Sequence, residues 1–395
     1  MNQVTEVLAS HPIFDFHTHL YAPSFGDLML YGVDELLTYH YVLAELFRAS
    51  GIAPDDLYAL PKTEQADLAW KHLFVERSPL SEACRGVVTT LQAFGLDVGP
   101  RELPKIRRWF AEQDPNRHVD RVMELANVRT ITMTNDVFDD DERGRWIANP
   151  DIGKDARFRG VVRVDPLLVA PADAARRLHE WGYEAGTEGA RRFLREWIAR
   201  TSAVYVAVSL PPEFRYPADD AARAMIDDAI GPVCAEHGLG FAMMIGARRG
   251  VNPALRQAGD GLGRADVDSV ANICRAHPKQ RFFVTMLSRE NQHELCVAAR
   301  KFANLTVFGC WWFLNVPSLI EEITRMRLEL LGTTFLPQHS DARVLDQLVY
   351  KWGHSRQVIG KVLAERYAGL SVTRTEIERD VKALFDGSIA SVVER

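Results

Sequence analysis

The chain has 395 residues, 47% of them hydrophobic and 25% charged, with a formal net charge of −6. That is ordinary globular composition with ample apolar material for a large core, which excludes disordered, collagen-like and disulfide-stapled classes. No basic run could track a phosphate backbone, and no stretch approaches the roughly 18 apolar residues of a membrane span, so nucleic acid and membrane are excluded as partners.

Residues 1–10 are mixed polar and apolar, with Glu6 inside the only apolar stretch; they lack the basic start and apolar core of a signal peptide. The five cysteines (Cys84, Cys234, Cys274, Cys296 and Cys310) are odd in number and scattered in apolar surroundings. Reduced packing residues of a cytoplasmic protein are the expectation. A homo-oligomer is compatible with this composition.

Eight short apolar, β-branched or aromatic runs follow in chain order: 13–16, 128–133, 160–164, 204–209, 240–245, 282–287, 305–310 and 333–338. Near-continuous apolar runs are expected of strands buried on both faces of a parallel sheet. From the second run onward the spacers are mostly roughly 20 to 40 residues, room for one loop and one crossover helix. Helical patterns sit in them, for example 174–181, 221–234 and 267–276. Eight alternating units predict an α/β fold of the (β/α)8 TIM-barrel type, a single domain over 1–395. An open doubly wound sheet is the alternative, but no Gly-rich phosphate loop follows the first strand. The first connection is exceptional. Segments 33–48, 62–74 and 103–113 read as helices, so 20–125 is expected to form a helical insertion over the barrel mouth. Segments 344–352, 355–367 and 374–384 supply the last barrel helix and a C-terminal cap.

His17 and His19 stand two apart at the end of the first strand, where alternation puts both on one face. Asp341 sits at the matching end of the eighth, the neighbour of the first once a barrel closes. Two imidazoles and a carboxylate with open positions suit one catalytic divalent ion, expected to be Zn2+ with Mn2+ as the alternative. A helix N-cap ahead of Val344 is the structural alternative for Asp341. Arg163 and Asp165 end the third strand, Thr134-Asn135-Asp136 follows the second, Arg248 and Arg249 follow the fifth, and Arg343 lies two residues past Asp341. Arginine forks suit carboxylates, so three such loops at one mouth point to a small acidic substrate. Trp311-Trp312-Phe313 reads partly as core, with one tryptophan left to line a sugar-sized pocket.

In order, Asp15-Phe16-His17-Thr18-His19-Leu20, Asp34-Glu35-Leu36-Leu37 ahead of His40-Tyr41, Thr134-Asn135-Asp136, Gly246-Ala247-Arg248-Arg249, Trp311-Trp312-Phe313 and Ser340-Asp341-Ala342-Arg343 resemble the uronate (glucuronate) isomerase family of the amidohydrolase superfamily. The resemblance implies a metal on His17, His19 and Asp341. It also implies interconversion of an aldehyde uronate such as D-glucuronate or D-galacturonate with its 2-keto isomer. By matching positions, His40, Tyr41, Arg163, Arg249 and Arg343 would contact the sugar acid, with Trp311 in the pocket. Moving the carbonyl needs a proton shuttle, for which Asp341, a metal-bound water and Tyr41 are the candidates, and stabilised enediolate oxygens, which a metal near them would supply; Arg163 is a further catalytic candidate. One departure matters. Met244 stands where the family has a histidine, and a thioether is a poor ligand for such an ion and exchanges no protons. His339 and His293 are the stand-ins. A metal-dependent hydrolase or decarboxylase of the same superfamily is the rival reading, and a non-catalytic sugar-acid binder the third.

Overall fold

The computed structural model describes residues 2–218 and 221–389, with the side chains of Asn2, Asn135 and Ser388 outside that description. Seven strands form one parallel sheet: β1 (Ile13–Thr18), β2 (Val128–Asp136), β3 (Phe158–Arg163), β4 (Tyr205–Leu210), β5 (Gly240–Ile245), β8 (Phe282–Met286) and β9 (Leu305–Val307). Between the fifth and sixth lies a small antiparallel hairpin of β6 (Ala247–Arg248) and β7 (Gly261–Leu262). The alternation along each strand explains the curl. Val206, Val208, Met243, Ile245, Val284 and Met286 pack outward against the helices. Tyr205, Ala207, Ala242, Met244, Phe283 and Leu287 form a second, inner cluster with Phe14, Phe16 and Phe308. Strands apolar on both faces need helices outside and close-packed side chains inside, and that is a (β/α)8 barrel.

The eighth staves differ from expectation. Segment 333–338 forms no ladder strand; it meets the seventh strand through a single parallel bridge, Phe308 to Leu336. Leu336 N donates to Val307 O at 3.0 Å, and Gly309 N to Leu336 O at 2.9 Å. Beyond it the chain closes on β1, with Asp341 N donating to His17 O at 3.1 Å and His19 N to Ala342 O at 2.7 Å. Pro337 has no N–H to give, and Asp341 is left-handed at φ +54°, so pairing there is intermittent. The seam is closed all the same.

Between β1 and β2 the chain is helical. The expected helix over 33–48 is two, Val33–Leu37 and His40–Ser50, because Tyr39 is extended (φ −62°, ψ 137°). That break starts a new helix at His40. Segment 62–74 is the helix Lys62–Trp70 followed by a π turn, Lys71–Val75. Asp346, fully buried just past the seam, ties this region down: one oxygen lies 2.6 Å from His118 Nε2 and the other accepts from Gly32 N at 2.6 Å. After the seam a single helix, Gln347–Tyr367, replaces the two expected. A capping box of Thr373 and Glu376 then starts the helix Arg374–Phe385. No helix among the described residues is long and apolar enough to cross a membrane.

Candidate metal centre and substrate pocket

His17, His19 and Asp341 meet at the seam. Asp341 Oδ1 lies 3.6 Å from His17 Nε2 and 3.4 Å from His19 Nε2, and the three ligand atoms fall within 4.8 Å of one another. Thr134 Oγ1, 3.2 Å from His17 Nδ1, orients that ring and leaves Nε2 toward the cluster. Burial is the leading cause that pushes His17 down to about 3, and it is helped by His19 and opposed by Asp341. His19 is likewise held well below its ordinary value, by burial and then by Arg343 and Arg163. Both rings are therefore neutral near pH 7, the form that binds metals. Asp341 Oδ1 is buried with no hydrogen-bond partner. An orphaned carboxylate oxygen is costly unless a cation satisfies it, and two neutral imidazoles with one carboxylate form a donor set that fits a divalent ion. The N-cap alternative fails: Asp346, not Asp341, precedes the next helix, and Asp341 makes no cap. No second cluster of donors occurs among the described residues.

Around the cluster lie two connected spaces. An inner chamber of about 20 Å3, room for a water or an ion, is lined by His17, Ser209, Trp311, Trp312 and Asp341, among others. An outer cavity of about 810 Å3 opens above it. His19, His40, Arg163, Arg249, Gln257 and Arg343 line both. A sugar-sized molecule fits the outer space, with its polar groups against the residues that line the boundary.

The arginines are not equivalent. Arg163, at the end of β3, gives Nε (3.0 Å) and Nη2 (2.5 Å) to Asp165, whose other oxygen accepts from Ser209 N at 2.8 Å. Burial works against its charge, but Asp165, Asp136 and Asp341 more than offset that and raise its affinity for the proton. Arg249 is half exposed, pairs with Asp260 at 2.5 Å and lies 5.5 Å above the Trp312 ring. Arg343 has no carboxylate within ion-pair distance among the described residues. Its backbone N is held by Gln347 Oε1 at 2.9 Å, and its guanidinium is left to the cavity it lines. His40, at a helix start, is held well below its ordinary value by burial and Arg343, and its ring lies 5.9 Å from that of Trp312.

Other expected residues fall elsewhere. Tyr41 lines neither space; its ring packs edge-on against His40 at 4.6 Å and stacks with Phe313 at 6.2 Å, and its buried hydroxyl has no hydrogen-bond partner. Both tryptophans, not one, line the inner chamber. Met244 is buried in the inner apolar cluster beside Thr285, its partner in register. His293 is exposed in the first turn of the helix Gln292–Ala299 and lines neither space. His339 is buried with its ring 5.4 Å from that of His17, and neither ring nitrogen has a partner. It stands beneath the cluster and outside it. Sequence reasoning passed over Ser209, Asp165 as the holder of Arg163, and Thr134 as the holder of His17. A polar residue at each strand end was the available signal.

Neither a protein-family model nor a curated protein matches the chain. Among solved structures it is similar to a uronate isomerase from Bacillus halodurans, with 48% identity, 100% of this chain and 96% of that chain covered, and a TM-score of 0.97. Two further structures share the fold. One is a uronate isomerase from Thermotoga maritima (14% identity, 99% and 96% coverage, TM-score 0.79). The other is a glucuronate isomerase from Caulobacter crescentus (16%, 99% and 93%, 0.80).

Proposed function

The chain belongs to the uronate isomerase family, and from that premise we propose that it interconverts an open-chain aldehyde uronate, such as D-glucuronate or D-galacturonate, with the 2-keto acid. One observation carries the reading to this chain's own residues: an unpaired guanidinium, Arg343, lies two residues from the His17–His19–Asp341 cluster at the shared boundary of the two spaces. A uronate has its carboxylate at one end and its reacting carbonyl at the other. Arg343 and Arg249, which both line the two spaces, hold the carboxylate, and His40 borders the sugar chain with Trp311 at its inner end.

When bound, a divalent ion held by His17, His19 and Asp341 supplies positive charge that polarises the substrate oxygens. We take it as zinc, whose preference for nitrogen and oxygen donors this set matches, with Mn2+ the alternative. Asp341 takes the C2 proton on Oδ2, since Oδ1 faces the imidazoles, and returns it to C1. Arg163, fixed by Asp165, stabilises the enediolate oxygens between the two transfers. Tyr41 supports the His40 ring from behind. In this reading the helical segment 20–125 covers the barrel mouth and the whole chain works as one domain. The five buried free cysteines support a cytoplasmic setting.

The test is proton NMR in D2O with the purified protein, glucuronate or galacturonate, and Zn2+ or Mn2+. Loss of the aldose signals with growth of those of the 2-keto acid is expected. No turnover of any uronic acid with any divalent ion would sink the reading.

A further inference from the structure

Arg327, on the helix Pro317–Leu331, is fully buried with no carboxylate within ion-pair distance among the described residues. Taking a guanidinium out of water with only neutral partners is expensive, so its partners bear on why it is there. Nη1 donates to Gly309 O at 2.8 Å and Nη2 to Gln292 Oε1 at 2.9 Å, while Nε has no partner. Gln292 Nε2 in turn donates to Met286 O at 2.7 Å and Ser288 O at 3.1 Å. The charge therefore ties the end of the sixth barrel strand to the end of the seventh.

Gly309 is where the seventh strand leaves the barrel wall, at φ +59°, and a Cβ there would overlap the His339 ring. Next comes the Trp311–Trp312 turn, closed by Leu314 N to Trp311 O and Asn315 N to Trp312 O, each at 3.0 Å. Trp312 is left-handed at φ +49°, a conformation a tryptophan keeps only when its surroundings enforce it. The far end of the turn is fixed too. Gln338 Oε1 accepts from Cys310 N at 2.7 Å, Gln338 Nε2 donates to Asn315 Oδ1 at 3.0 Å, and Asn315 Nδ2 donates to Ser340 O at 3.0 Å, next to Asp341.

We propose that Arg327 is a positioning residue for the substrate pocket: by clamping the Gly309 carbonyl it holds the strained Trp311–Trp312 turn that walls the inner chamber. It touches no substrate and acts through that backbone. The kinetic arm of the test rests on the isomerase reading; the spectroscopic arm does not.

The holoenzyme is labelled with 5-fluorotryptophan, and the signals of Trp311 and Trp312 are assigned with Trp311→Phe and Trp312→Phe. In Arg327→Met both signals should shift while the other six tryptophans of the eight stay put. KM for the uronate should rise about tenfold or more, kcat should change less, and bound metal should be retained. Arg327→Lys reaches one acceptor only and should recover part of the loss. Should Arg327→Met fail to fold, Gln292→Leu, which loosens the arginine, and Asn315→Ala, at the other end of the turn, carry the same expectations. Unmoved fluorine signals together with KM within twofold of wild type, in Arg327→Met or, where that does not fold, in Gln292→Leu, would overturn the proposal and leave Arg327 as a stabilising residue. A wild type inactive on every uronate would defeat the isomerase reading alone, and the fluorine signals would still decide this one.

Discussion

The arc of the barrel from the eighth stave through β1 to β3 and the arc across β4, β5 and β8 present opposite chemistry at the same height. The first carries His17, His19, Thr134, Arg163, Asp341 and Arg343. The second offers Ser209 and then Met244, with Ala242, Phe283 and Leu287 packed around it. A metal centre with donors on both sides would grip its ion from around the ring. Here the candidate metal donors are all on one side; the other side lines the chamber with Ser209, Arg249, Gln257 and Asp260 and packs Met244 into the apolar cluster. A divalent ion held by His17, His19 and Asp341 would supply positive charge on the side of the chamber that faces the cavity.

The comparison breaks first if the polar arc is emptied. His17→Ala combined with Asp341→Asn should abolish bound metal by elemental analysis and lower kcat/KM by at least about 10³-fold. A full equivalent of metal in that variant would move the centre elsewhere. Arg343 comes next. Replacing it with Met should cost about 2 to 4 kcal/mol of transition-state binding, about 30- to 1000-fold in kcat/KM, because it is the guanidinium without a protein carboxylate. Arg343→Lys should recover only part, since an ammonium lacks the fork. Equal activity of Arg343→Met and wild type would shift carboxylate recognition to Arg249.

The polar arc should also be the acid-sensitive one. Burial, with Lys351 nearby, holds His354 down at about 3, and burial with His17 does the same for His339. In the unfolded chain both titrate near 6.5. Groups with depressed folded pKa values contribute full stability above the unfolded value and lose it as pH falls toward the folded one. Asp15 runs the other way: burial pushes it up to about 6, so it returns some stability between pH 6 and 4. His17, His19 and His40 are held down in the same way, so from pH 6.5 to 5 the metal-free protein should lose stability net, the histidines outweighing Asp15. Urea midpoints at the two pH values check this, and an unchanged midpoint would mean that these rings do not stay neutral.

How much of this was legible follows the same division. The seven ladder strands were readable because strands apolar on both faces need no partner to be recognised; 240–245 was read to the residue. The eighth stave was placed but not its form, since a left-handed Asp341 and single bridges leave no periodic signature. His17, His19 and Asp341 could be joined across more than 300 residues only because barrel closure makes the first and eighth staves neighbours. Tyr41 could not be judged: a break at Tyr39 decides which way the helix beginning at His40 faces, and no glycine or proline marks it. Arg327 was invisible because an arginine in an amphipathic helix reads as a solvated face.

Met244 offers the smallest and sharpest test of the comparison. If Met244 is structural wall, Met244→Leu should cost less than about 1.5 kcal/mol and leave metal content and turnover near wild type, because volume and apolarity are kept. Met244→His restores a donor type at that height but puts an imidazole into the apolar cluster with Phe16, Tyr205 and Phe283, where the Thr285 hydroxyl beside it can satisfy one ring nitrogen at most. That should cost about 1 to 3 kcal/mol in denaturant unfolding with no gain in kcat. The alternative outcome is specific. If Met244→His binds metal more tightly and turns over faster, the ion lies within reach of β5 and the centre is not one-sided. Tighter binding with slower turnover would still support a one-sided site, since a fourth protein ligand would then occupy a position the substrate needs.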